Sequence, residues 1–258
     1  MAKVHPTAVV YPEAQLHETV EVGPYAVIGP RVTLGEGTWV GPHAVVEGRT
    51  TIGKRNRIFQ LASVGAVPQD LKYAGEDTQL QIGDDNTIRE FSTLHIGTAG
   101  GGEVTRVGNR NLFMAYSHVA HDCQVGNGCI LSNSANLAGH VHISDHVILG
   151  GLSAVHQFTR IGKHAFVAGG AMVAMDVPPY CTAQGDRAEL VGLNTVGLAR
   201  HGFSEDQMVR IKEAYRILFR SKLGLGEAVA KARVELGGHP EIEELLQFVA
   251  GSTRGITR

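Results

Sequence analysis

The residues best able to do chemistry gather between positions 118 and 157: His118, His121 followed by Asp122, Gly139 followed by His140, and His156 followed by Gln157. Imidazole, with an ordinary pKa near 6.5, is matched to taking and returning a proton at neutral pH. A neighbouring carboxylate steadies the charged ring. The chain has thirteen histidines, so one histidine alone is a poor lead, and His17, His43 and His239 read as exposed or ordinarily hydrogen-bonded. The spare histidines leave open a zinc centre of three imidazoles. Cys123, Cys129 and Cys181 form no CxxC pair and read as small buried thiols, not as disulfides or zinc ligands.

The elements that must position these groups are written in a period of six. Aliphatic residues recur at Leu16, Val22, Ile28, Leu34, Val40, Val46, Ile52, Ile58 and Val64, then in phase at Ile82, Ile88 and Leu94. A second phase runs from Val107 and Phe113 through Val119, Val125, Leu131, Leu137, Ile143, Leu149, Val155, Ile161 and Val167 to Val173. A six-residue period belongs to a parallel β-helix, whose stacked coils bury one another's aliphatic column. The residue after the aliphatic one is often glycine, as at Gly23, Gly35, Gly126 and Gly162, which suggests a sharp corner there. Four residues after it comes a small side chain such as Ala26, Ala44, Cys123 or Ala135, suited to a tight inner corner.

The rhythm breaks at 65–81 and at 95–106, which read as loops thrust out from a β-helix spanning 1–185. Beyond Val177-Pro178-Pro179 helical signals take over, so 186–258 reads as a helical unit. Ser204 and Gln207 form a capping-box pattern ahead of Met208, Ile211, Ala214, Tyr215 and Leu218 at helical spacing; Pro240 opens another helix. Arg210, Lys212, Arg216, Arg220 and Lys222 make the first long helix basic, a face for an acidic partner or simply for solvent.

Composition removes other classes. Hydrophobic residues make up 43% of the chain, enough for a core and too many for a disordered one. A formal charge of -2 gives no field to hold a polyanion, so neither a nucleic-acid partner nor a charged membrane surface is expected. No apolar run approaches the roughly 20 residues of a transmembrane span, and residues 1–15 lack the apolar core of a secretory signal, so a cytoplasmic location is expected.

Hexads of this form resemble the left-handed β-helix acyltransferases. The resemblance narrows at Gln69-Asp70-Leu71-Lys72-Tyr73-Ala74-Gly75-Glu76, His118-Val119-Ala120-His121-Asp122-Cys123, Leu137-Ala138-Gly139-His140-Val141, Val155-His156-Gln157-Phe158, Asp176-Val177-Pro178-Pro179-Tyr180 and the ending Ser252-Thr253-Arg254-Gly255-Ile256-Thr257-Arg258. In that order these motifs are similar to the UDP-N-acetylglucosamine O-acyltransferase family, which opens lipid A biosynthesis. The resemblance covers essentially the whole chain. It implies coils of three hexads, so that His121, Gly139 and Gln157 stack in one column and Asp122, His140 and Phe158 in the next.

It also implies the chemistry: a 3-hydroxyacyl chain passes from acyl carrier protein to the 3-hydroxyl of UDP-N-acetylglucosamine. His121 would be general base, Asp122 its orienting partner, and the Gly139 N–H an oxyanion donor. Asp70 and Lys72 would contact the sugar nucleotide, with His118, His140, His156 and Gln157 lining the cleft. Asn194 and Arg200 would lie near the nucleotide, and Gly169 would set acyl length, leaving room for a longer chain. The resemblance implies a homotrimer and no metal or organic cofactor, the acyl group arriving on the carrier's phosphopantetheine. The chain departs from the family pattern at Val196, Ala199 and His201, and at Ile96 after His95, which bears on nucleotide and acceptor binding. Two other readings are a histidine-zinc enzyme of the carbonic anhydrase kind and a scaffold without catalysis.

Overall fold

The computed structural model describes all residues, 1–258. Short parallel strands stack into three sheets of 11, 9 and 8 strands that close a triangular left-handed β-helix. Partners in neighbouring coils are 18 residues apart, as in Ile130↔Ile148↔Phe166 and His118↔Asn136↔Ala154. The register steps by 30 residues at Arg57↔Thr87 and by 25 at Thr87↔Leu112, where the two loops leave the coil. Those loops are shorter than the broken rhythm suggests. Ser63–Ala66, Gln79–Ile82, Thr93–His95 and Val104–Val107 are strands, so only 67–78 and 96–103 protrude.

The hexad aliphatics fall inside. Val119, Leu131, Leu137, Leu149 and Ile161 show less than 1% exposure in a single cluster of 44 buried residues that runs the length of the helix. Each such side chain contributes about 1.5–3 kcal/mol by leaving water. The small residues expected at inner corners, Ala26, Ala44, Cys123 and Ala135, are likewise buried at 0%.

The corner glycines have a different cause from the one their sequence position suggests. The left-handed backbone of most corners sits three residues after the aliphatic, at Asp122 (φ 60), His140 (φ 62) and Phe158 (φ 64) on one edge. The glycine directly after the aliphatic is instead a matter of clearance. A Cβ on Gly35 would lie 2.5 Å from the Gly53 carbonyl oxygen, and one on Gly108 2.6 Å from that of Gly126. Coils stack too closely there for any side chain.

Helices α1 (Thr195–Arg200), α2 (Glu205–Phe219), α3 (Leu225–Leu236) and α4 (Pro240–Ala250) pack around a second cluster of 14 buried residues. The Ser204 capping box forms: its hydroxyl accepts from the Gln207 N–H and the Gln207 side chain accepts from the Ser204 N–H. The helical unit starts later than residue 186, because Glu189–Leu193 is a strand paired antiparallel with Cys181–Gln184. The basic face of α2 is largely spent within the chain. Arg210 pairs with Glu241 and Arg216 with Glu213, while Arg220 donates to the Leu190 carbonyl and the Tyr215 hydroxyl. No helix is long and apolar enough to cross a membrane.

Candidate active site

His121 and Asp122 turn the corner between the strand His118–Val119 of the nine-stranded sheet and Gln124–Val125 of the eight-stranded one. The left-handed backbone at Asp122 directs its carboxylate beneath the 96–103 loop, where its side chain is 0% exposed. Three donors meet it there. His121 Nδ1 lies 2.8 Å from Oδ2, the Thr98 hydroxyl 2.6 Å from Oδ2, and the Thr98 N–H 2.9 Å from Oδ1. Burial alone would raise the Asp122 pKa; the hydrogen bonds from His121 and Thr98 outweigh it and hold the carboxyl below its usual range. The carboxylate is therefore ionised at neutral pH and keeps the proton of His121 on Nδ1, which leaves Nε2 with its lone pair.

That Nε2 faces the glycine of the next coil. A Cβ on Gly139 would lie 2.5 Å from Cε1 and 2.7 Å from Nε2 of His121, so the missing side chain is the gap in front of the ring. The Gly139 N–H donates to no acceptor in the chain, whereas His140 N–H beside it bonds the His121 carbonyl at 3.0 Å. The residue that leaves this gap is thus also the one with an unbonded N–H.

The other cleft residues surround this pair. His140 meets His121 edge to face at 5.0 Å and stacks on Phe158 at 4.4 Å. Burial lowers its pKa, with Asp122 and Asp70 pulling the other way, so Asp70 lies close enough for its charge to reach the cleft. Asp70 accepts from the Lys72 N–H at 3.0 Å, a turn that leaves the Lys72 side chain exposed. His118 holds the Thr93 hydroxyl at 2.6 Å and touches His95 ring to ring; burial lowers its pKa first, then the charge of His121. His156 contacts Arg254 at 2.8 Å, and Gln157 is exposed in the column of Gly139.

Three expected residues lie elsewhere in the single chain. Gly169 is on the edge between the 11- and nine-stranded sheets, with Gly151 behind it. Asn194 caps α1 and donates to the His164 carbonyl at 2.9 Å, on the remaining edge; Arg200 is exposed on the same helix. Reading the sequence missed Thr98, which supplies two of the three donors to Asp122. The signal was the crowd of glycines around it. Gly101 lies against the Asp122 carboxylate, and a Cβ on Gly97 would come within 2.9 Å of Oδ1, so the Gly100-Gly101-Gly102 run lets backbone close over a buried charge.

His121, Asp122 and His140 offer ligand atoms all within 4.8 Å of one another, a set that a divalent ion could use. Thr98 and His121 already fill three of the carboxylate's roughly four acceptor positions.

The histidines packed into the fold make it acid-sensitive. Burial pushes His95 and His164 down to about 4. Unfolding returns each to about 6.5, so between these values the unfolded chain binds more protons and stability falls with pH. From pH 7 to pH 5 each site is expected to cost about 2 kcal/mol. Denaturant unfolding at the two pH values checks this; equal or greater stability at pH 5 would contradict it.

Comparison with known proteins gives a consistent result. A family model described as UDP N-acetylglucosamine O-acyltransferase, domain 2, matches residues 176–257, and one for the bacterial transferase hexapeptide, six repeats, matches 105–139. The chain is 71% identical over 258 residues, all of both chains, to the acyl-carrier-protein-dependent UDP-N-acetylglucosamine O-acyltransferase of Myxococcus xanthus. It is 60% identical over 255 residues, 99% of each chain, to that of Anaeromyxobacter dehalogenans. Among solved structures, the UDP-N-acetylglucosamine O-acyltransferase of Moraxella catarrhalis aligns with a TM-score of 0.96 at 43% identity, and the acyltransferase of Campylobacter jejuni with 0.94 at 38%, each over 99% of both chains.

Proposed function

Because the chain belongs to the acyl-carrier-protein-dependent UDP-N-acetylglucosamine O-acyltransferases, we propose that it carries the first acylation of lipid A biosynthesis through the His121–Gly139 gap. It is an acyltransferase whose donor is an acyl carrier protein thioester and whose acceptor is UDP-N-acetylglucosamine. His121 Nε2 takes the proton of the sugar 3-hydroxyl as that oxygen attacks the thioester carbonyl. The Gly139 N–H receives the oxyanion of the tetrahedral intermediate. Collapse expels the phosphopantetheine thiolate, which recovers the proton from His121, and Asp122 stays ionised throughout. The observation that carries this reading is that Gly139, whose missing side chain leaves space in front of His121 Nε2, also has a backbone N–H that bonds nothing in the chain.

Asp70 and Lys72 stand on a loop that reaches toward His140 and serve the sugar nucleotide, while His118, His140, His156 and Gln157 line the cleft. Asn194, Arg200 and Gly169 lie on the other two edges of the same chain, so they take part by facing the His121 edge of a neighbouring copy. A homotrimer does this with three equivalent sites. An outward row of Leu112, Ile130, Ile148 and Phe166 on the 11-stranded sheet supports it, being an apolar face for a copy to cover. The cytoplasm, where acyl carrier protein is found, is the place for this reaction, and it requires no metal or organic cofactor.

Purified protein mixed with UDP-N-acetylglucosamine and a panel of 3-hydroxyacyl carrier proteins should give a 3-O-acylated product by mass spectrometry; no product from any member would count against the reading. With the same panel, Gly169→Met should move the preference to shorter chains and cut kcat/KM for the longest good substrate at least about tenfold. An unchanged preference would remove Gly169 from chain-length selection.

A further inference from the structure

The carboxyl-terminal segment is sewn to the last coil through one buried carboxylate. Asp176, 0% exposed, accepts from the Arg160 N–H on Oδ1 and from the Ser252 hydroxyl on Oδ2, each at 2.8 Å. Its own N–H donates to the Gly255 carbonyl at 2.9 Å, and its carbonyl accepts from the Thr257 N–H at 2.8 Å. The Thr257 hydroxyl adds a bond to the Met175 carbonyl at 3.0 Å.

Between these anchors Arg254 reaches back to the cleft. Its Nε donates to the Ala174 carbonyl at 3.0 Å, and its Nη2 lies 2.8 Å from His156 Nδ1. His156 in turn lines a groove of about 870 Å³ with Ala138, Val155, Met172, Val173 and Arg254. Ala138 is the residue before the Gly139 gap, so the groove opens beside the reacting position.

The geometry points to Arg254 as a positioning residue that fixes the tautomer of His156. A guanidinium can only donate, so Nδ1 must keep its lone pair and the ring proton must sit on Nε2. The Gln157 carbonyl, 3.3 Å from the same Nδ1, would favour the opposite tautomer. The arginine contact is shorter and charge-assisted, and it prevails. His156 thereby has Nε2–H as the one donor it can offer an oxygen of the acyl donor in the groove. The segment Ser252–Arg258 thus delivers a cation to His156 from 98 residues away in sequence.

The kinetic part rests on the reading of this cleft as an acyl-transfer site; the tautomer does not. Nitrogen-15 correlation spectra of the histidine rings, with His156 assigned by loss of its signal in His156→Gln, should show Nε2–H in the wild type and in Arg254→Lys. A wild-type ring protonated on Nδ1 would overturn the proposal. Arg254→Met should lower kcat/KM for the acyl donor about tenfold, with Arg254→Lys within about threefold of wild type. In a His156→Ala background Arg254→Met should cost nothing further. Additive losses in that double variant, or no recovery by lysine, would also overturn it. Nε2–H in a protein that forms no acylated product would instead count against the acyl-transfer reading alone.

Discussion

Replacing Gly139 by alanine is expected to lower kcat by about 100-fold or more while leaving the fold intact. The added methyl would sit 2.5 Å from Cε1 and 2.7 Å from Nε2 of His121, closer than the 3.0 Å that real Cβ contacts respect. Either the ring turns away and gives up its 2.8 Å bond to Asp122, or the methyl occupies the place of the reacting carbonyl. Both outcomes abolish the arrangement of base and oxyanion donor. The backbone at Gly139 is not left-handed, so alanine meets no conformational penalty and the melting temperature should move by only a few degrees. Wild-type kcat in this variant would remove the gap from the mechanism; steady-state kinetics beside a thermal melt decide it.

His121→Ala is expected to cost more, about 1,000-fold in kcat, the middle of the range for a general base. It also takes one of three donors from Asp122, leaving the two from Thr98. Losing a hydrogen bond to a buried charge costs about 1–3 kcal/mol, so unfolding should be easier by roughly that amount. The control for both effects is His118→Ala. That ring holds Thr93 rather than the carboxylate, and its loss should leave the Asp122 cluster unchanged.

Much of this was legible in the order of residues. Val119, Val125 and Leu131 mark strands because a coil that buries one side chain per side must repeat it every sixth residue. Once three hexads make a coil, His121, Gly139 and Gln157 fall in a column, and the observed register of 18 puts them there. What the period cannot carry is what leaves the coil. Thr98 reaches Asp122 from a loop that has no register with the repeat, and Arg254 reaches His156 after four helices have intervened. Asn194 and Gly169 expose another limit: their place on separate edges depends on how corners close in space, and their use depends on a second copy. The strand Glu189–Leu193 was hidden because it pairs antiparallel, with a hairpin's logic rather than a hexad's. The corner glycines were visible, but their reason was not, since stacking clearance looks the same in sequence as a need for left-handed backbone.

The central claim is that one imidazole, oriented by a buried carboxylate, performs the proton transfer of acylation. Equilibrium binding of UDP-N-acetylglucosamine and single-turnover acyl transfer, measured side by side on wild type and His121→Ala, test it most directly. The predicted result is binding within about threefold of wild type with transfer slower by about 1,000-fold. Transfer within tenfold of the wild-type rate at saturating substrates would contradict it.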